Sequence, residues 1–116
     1  MIELIRIIQR MERFETLCYN LIYGVAVGDA MGFPVQFYNR EQARKFNITK
    51  ITAYYSGLLP AGTWSDDTSM TIALAEALGE SEEINYEKIM QNFHLWITKG
   101  KFTPYYKAFD IGRTCF

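Results

Sequence analysis

Histidine occurs once in this 116-residue chain, cysteine twice and proline three times. Each scarcity narrows what the protein can be. Cys18 and Cys115 lie at opposite ends with no metal-type spacing, which argues against a thiolate metal site. Two thiols without secretory features point to a reduced, cytoplasmic protein. The lone His94 sits within an apolar helical pattern, where packing or surface exposure is its ordinary fate. Charge of one sign is missing too. Twelve Lys and Arg face thirteen Asp and Glu, so the chain lacks the positive field of a general nucleic-acid binder, and any anionic ligand must be recognised locally. Long hydrophobic runs are also absent. Glu3, Arg6, Arg10 and Glu12 interrupt the N-terminal MIELIRIIQRMERFE, which has no signal-peptide cleavage pattern. Leu17 to Met31 is apolar but short for a membrane span and carries Asn20 and Asp29. The expectation is a soluble protein with no membrane or nucleic-acid partner.

What is present suits a single packed domain over residues 1–116. Hydrophobic residues make up 49% and aromatics 16% of the chain, enough for a core. No strand is convincing; Ile51 to Tyr55 is the only strand-like patch. Ile2, Ile5, Ile8, Met11, Phe14 and Leu17 recur at near-helical spacing, and Leu4 and Ile7 widen the stripe. The pattern continues through Leu21, Ile22 and Val25. Gly24, Gly28 and Gly32 recur every fourth residue on one face, which predicts close approach of another helix to offset their helix cost of about 1 kcal/mol each. Gly32-Phe33-Pro34 should end this helix. Residues 40–46 predict a short helix and 47–64 a loop. Asp66 to Leu78 predicts a helix with Met70, Ala73, Leu74, Ala77 and Leu78 inward, stopped by Gly79. Asn85 or Ser81 should cap a further helix to about Thr98, with Ile89, Phe93, Trp96 and Ile97 inward and Gly100 as its stop. Residues 101–109 should form a loop, with another helix beginning at Asp110 or Gly112. The fold class expected is all-α.

The chemistry concentrates at Ser65-Asp66-Asp67-Thr68. Four oxygen-bearing side chains stand at a helix start, a hard donor set suited to Mg²⁺, Mn²⁺ or Ca²⁺. The same residues also suit plain capping, with Ser65 as N-cap and the carboxylates complementing the helix dipole. By spacing alone, capping is the stronger reading. Asp29, near a helix end, is expected to satisfy backbone or side-chain donors. Trp64 is expected in the core rather than stacked on an adenine.

The surroundings shift that balance. Gly28-Asp29-Ala30-Met31-Gly32-Phe33-Pro34-Val35-Gln36-Phe37 comes first, Gly62-Thr63-Trp64-Ser65-Asp66-Asp67-Thr68-Ser69-Met70 second, and Phe109-Asp110-Ile111-Gly112 third. This ordered set, over about residues 13–116, resembles the ADP-ribosylglycohydrolase family, which includes the dinitrogenase-reductase-activating glycohydrolases. The resemblance implies part of an all-α helical bundle with a two-metal centre of Mg²⁺ or Mn²⁺. It implies cleavage of the glycosidic bond between ADP-ribose and a protein side chain. Ser65, Asp66 and Asp67 would be metal ligands, and Asp67 and Asp110 would stand at the reacting centre, Asp110 beside the substrate ribose.

Two departures accompany the resemblance. The family's second metal motif, Asp-x-Asp-Thr, has no counterpart here, so an incomplete metal site is expected. Gln36 stands where many members carry Glu, and an amide can neither act as a base nor bring charge to a metal. The alternative reading is a non-catalytic helical module that binds ADP-ribose or a partner protein. Expected partners are an ADP-ribosylated protein or ADP-ribose, together with a second copy of the chain or a complementary C-terminal half.

Overall fold

A computed structural model describes residues 1–46, 48–54 and 57–115, with Thr114 described by its backbone alone. The described residues are helical, in the order α1 (Ile2–Gly32), α2 (Arg40–Phe46), α3 (Asp66–Gly79) and α4 (Tyr86–Lys99), with 3₁₀ turns at Phe33–Val35 and Arg113–Cys115. The architecture is all-α. The strand-like patch amounts to one isolated antiparallel bridge between Tyr54 and Leu59, and its last residue, Tyr55, lies outside the described residues.

Helix α1 is a single 31-residue element, about 46 Å long at 1.5 Å per residue. It ends where Pro34 enters the 3₁₀ turn, whose Phe33, Pro34 and Val35 are all buried. Helix α2 opens with a reciprocal cap. The Asn39 N–H donates to Gln42 Oε1 and the Gln42 N–H to Asn39 Oδ1, both at 2.9 Å, so two donors left free by helix geometry are satisfied at once.

Helix α3 is the centre, packed against both α1 and α4. Its inward face is small: Thr68, Ser69, Ala73 and Ala77 are buried, which lets neighbouring backbones come close. Leu74 and Leu78, expected inward, are exposed, because Ala73 and Ala77 take the contact one residue earlier in each turn. Helix α4 meets this face through Asn92 and Trp96, both 1% exposed. The Asn92 amide donates to the Ala73 carbonyl at 3.0 Å, a buried polar tie between the two helices. Ile97 lies at the exposed edge of α4 rather than inward. Of the two expected caps, Asn85 is the one used, its Oδ1 accepting from the Lys88 N–H at 3.0 Å. Gly100 closes the helix at φ +64. There a Cβ would stand 2.1 Å from the Tyr106 carbonyl carbon, so the position requires glycine both for its backbone conformation and for space.

One expectation fails and one is met only in part. Nothing lies within 4 Å of where a Cβ would stand at Gly24, Gly28 or Gly32, so among the described residues no helix approaches that stripe. The helix expected from Asp110 or Gly112 is, among the described residues, a single 3₁₀ turn at Arg113–Cys115, with the Gly112 carbonyl accepting from the Cys115 N–H at 3.0 Å. Asp110 itself stays outside it at φ +54, a left-handed conformation foreign to a right-handed helix.

Candidate functional site

Residues 63–65 enter α3 alongside the end of α1, and one carboxylate joins them. Asp29 Oδ2 accepts from the Ser65 N–H at 2.8 Å, the Thr68 N–H at 3.1 Å and Thr68 Oγ1 at 2.6 Å; Asp29 Oδ1 accepts from Ser65 Oγ at 2.7 Å. Asp29 therefore satisfies donors, as its place near a helix end led one to expect. It also does what Ser65 was expected to do. Ser65 occupies the N-cap position but makes no side-chain cap bond; its hydroxyl is drawn to Asp29, which takes the free N–H of the first turn from across the helix pair. The start of α3 is thus fixed by α1. Ser65 is 5% and Thr68 1% exposed, so these bonds are shielded from competing water.

The two carboxylates that follow point to different surroundings. Asp66 is half-buried and Asp67 exposed. Burial, then the charges of Asp110 and Asp67, raise the Asp66 pKa above its ordinary 3.8, partly offset by hydrogen bonding at the helix start. Asp110 comes from 44 residues further along the chain. It is held by Gln36, whose Nε2 donates to Asp110 Oδ2 at 2.9 Å. Its left-handed backbone is one that aspartate tolerates better than most residues. The structure thus brings Asp66, Asp67, Asp110 and Gln36 to one place, with Ser65 beneath them.

An aromatic wall stands behind. Phe33 stacks on Tyr54 with ring centroids 4.4 Å apart and meets Phe109 at 5.9 Å, and Phe109 meets Tyr105 at 6.3 Å. The Thr63 hydroxyl and the Tyr105 hydroxyl share a 2.6 Å hydrogen bond. Trp64 is half-buried, its indole N–H donating to the Phe102 carbonyl at 3.3 Å. These contacts fold residues 102–110 back over the entry to α3, which is how Asp110 reaches Asp66. The sequence carried no spacing signal for the Gln36–Asp110 pair, 74 residues apart.

The donors are carboxylate and hydroxyl oxygens, the chemistry hard divalent cations prefer. Mutual repulsion among Asp66, Asp67 and Asp110 is what a cation would relieve. The set covers one side only: among the described residues, no three His, Cys, Asp or Glu side chains converge closely enough to hold a metal ion by themselves. His94 is exposed on α4 and outside this cluster. Among the described residues, no helix is long and apolar enough to cross a membrane.

A model of the ADP-ribosylglycohydrolase family matches residues 11–116. The ADP-ribosyl-[dinitrogen reductase] glycohydrolase of Rhodospirillum rubrum is 33% identical over 94 residues, covering 79% of this chain and 30% of that protein. The ADP-ribosylarginine hydrolase Tri1 of Serratia proteamaculans (strain 568) is 29% identical over 93 residues, covering 80% of this chain and 25% of that protein. No solved structure matches. The chain spans between a quarter and a third of the length of these relatives.

Proposed function

Because the chain belongs to the ADP-ribosylglycohydrolase family, we propose that it supplies one side of a hydrolytic site that releases ADP-ribose from a modified protein side chain. The observation that carries the reading is the meeting of Asp66 and Asp67, at the start of α3, with Asp110 from the distant 102–110 segment. Ser65, Asp66 and Asp67 would hold a Mg²⁺ or Mn²⁺ ion, which when bound supplies Lewis acidity to ribose hydroxyls and to a water.

The chain's own residues have distinct tasks. Asp29 clamps Ser65 and Thr68, so the two carboxylates after Ser65 are presented from a fixed backbone. Asp67, exposed, accepts the proton of the attacking water. Asp110 takes a ribose hydroxyl, orienting the anomeric carbon. Water oxygen bonds to that carbon, the bond to the side-chain nitrogen breaks with its electron pair going to nitrogen, and the proton Asp67 took from the water passes to that nitrogen. The remaining ligands would come from an Asp-x-Asp-Thr segment outside these 116 residues. The test is release of ADP-ribose from an ADP-ribosylarginine substrate with Mn²⁺, by this chain alone and with the C-terminal part of a family member added. Turnover in either arm supports the reading, and no turnover in both removes it.

A second reading, a non-catalytic module binding ADP-ribose, is favoured by Gln36. Its neutral amide is already committed to Asp110 and cannot move a proton. Calorimetric titration with ADP-ribose distinguishes the two: binding without hydrolysis in both arms above selects the module.

A further inference from the structure

Among the described residues, nothing buries the first half of α1. Every residue from Met1 to Leu17 is exposed, including Leu4 at 60%, Ile8 at 47% and Met11 at 66%. The molecule is correspondingly drawn out. Its radius of gyration is 17.6 Å, against about 13 Å for a compact chain of this length. Its accessible surface is 9125 Å², against about 6,500 Å² for a compact monomer of this mass. The excess exceeds the roughly 800 Å² per partner of a standard protein interface. The family match begins only at residue 11, so it does not account for the first ten residues of this arm.

The direction of the apolar stripe identifies what fits. Leu4, Ile7, Ile8 and Met11 lie at helical spacing with Cys18, Ile22 and Ala26, the partly covered residues of α1 where it packs on α3. The arm's apolar face and the body of the molecule therefore lie on the same side of α1. A second copy pairing in parallel would bring its body into the space this body fills. A second copy pairing antiparallel lays its arm in the open space beside this one, with its body beyond Met1. Centred on Gln9, that arrangement sets Ile7 beside the partner's Met11 and Leu4 beside the partner's Phe14. Glu15, the one charged residue in the stripe, then falls at the partner's first helical turn, where free N–H groups favour a carboxylate. The stripe is self-complementary, as a two-fold interface requires.

We propose that the α1 arm, residues 1–17, is a self-association surface through which two copies of this chain pair antiparallel in a two-fold dimer. Light scattering on the full chain at tens of micromolar should give twice the 13.5 kDa chain mass. The double variant Ile8→Glu with Met11→Glu should run as a monomer with unchanged helicity, since both side chains are exposed on the arm. Pairing direction is read from a spin label at Glu3→Cys, with Cys18 and Cys115 replaced by Ser. Antiparallel arms hold the two labels about 20 Å or more apart from helical rise alone, whereas parallel arms hold them at about the 10 Å of interhelical spacing. A wild-type monomer, a dimer that survives the double substitution, or labels at the short distance would each overturn the proposal.

Discussion

Asp29 offers the sharpest test of how the site is built. One carboxylate accepts four hydrogen bonds that tie the end of α1 to the start of α3. Replacing it with alanine leaves two backbone N–H groups and the hydroxyls of Ser65 and Thr68 without their acceptor, and Thr68 is 1% exposed. A buried donor left unpaired costs about 1–3 kcal/mol. Water can reach some of the space the carboxylate vacates, so Asp29→Ala should cost about 3–5 kcal/mol in all, a value in the diagnostic tail for single substitutions. Asp29→Asn keeps the shape. Its amide oxygen can take the three donors at Oδ2, and the Ser65 hydroxyl can turn to accept from the new NH₂. The loss is then the difference between charged and neutral acceptors, about 1–3 kcal/mol. Urea unfolding followed by the fluorescence of Trp64 and Trp96 measures both. A cost below about 1 kcal/mol for Asp29→Ala would refute the idea that this carboxylate holds the helix pair together.

Asp66→Asn should stabilise the isolated chain at neutral pH. The folded-state pKa of Asp66 is raised, so the folded state holds the proton more tightly, and its stability falls as pH rises from the ordinary carboxylate value through the raised one. Thermal scans should therefore show the variant above wild type at pH 7 and the gap closing at pH 3. Gly100→Ala should cost about 2–4 kcal/mol, because the new Cβ meets the Tyr106–Lys107 backbone at 2.1–2.3 Å and the residue sits at φ +64. Hydrogen exchange should show its effect at the α4 end and the 101–107 loop first.

Much of the helical frame was legible because its signals are local. Asn85 three residues ahead of the Lys88 N–H it caps and Gly100 at a left-handed stop act within a turn of the chain, whereas the cap bond expected of Ser65 is made by Asp29 of α1. The three motifs named the segments that the fold brings together, without indicating which of their residues meet. What was not legible depends on tertiary neighbours. Leucines 74 and 78 looked inward by periodicity, yet the approach of α1 and α4 selected the alanines beside them. The glycine stripe of α1 implied a contacting helix that the described residues do not supply. Asp110 looked like a helix start, while its pairing with Gln36 and the aromatic contacts of Phe109 hold it in a left-handed loop. No local pattern reports a hydrogen bond across 74 residues.

In the site proposed above, residues 65–67 hold one side of a divalent cation, with Asp110 beside them. Paramagnetic broadening of amide resonances by Mn²⁺ tests it residue by residue, without requiring turnover. An incomplete oxygen site should bind at about 10⁻⁴–10⁻³ M, the weak end for hard cations. Titration to a few millimolar should then broaden Ser65, Asp66, Asp67 and Asp110 first, and Asp67→Asn should move the effect to higher concentration. Broadening that begins at other acidic residues such as Glu82 and Glu83, or none at the start of α3, would contradict it.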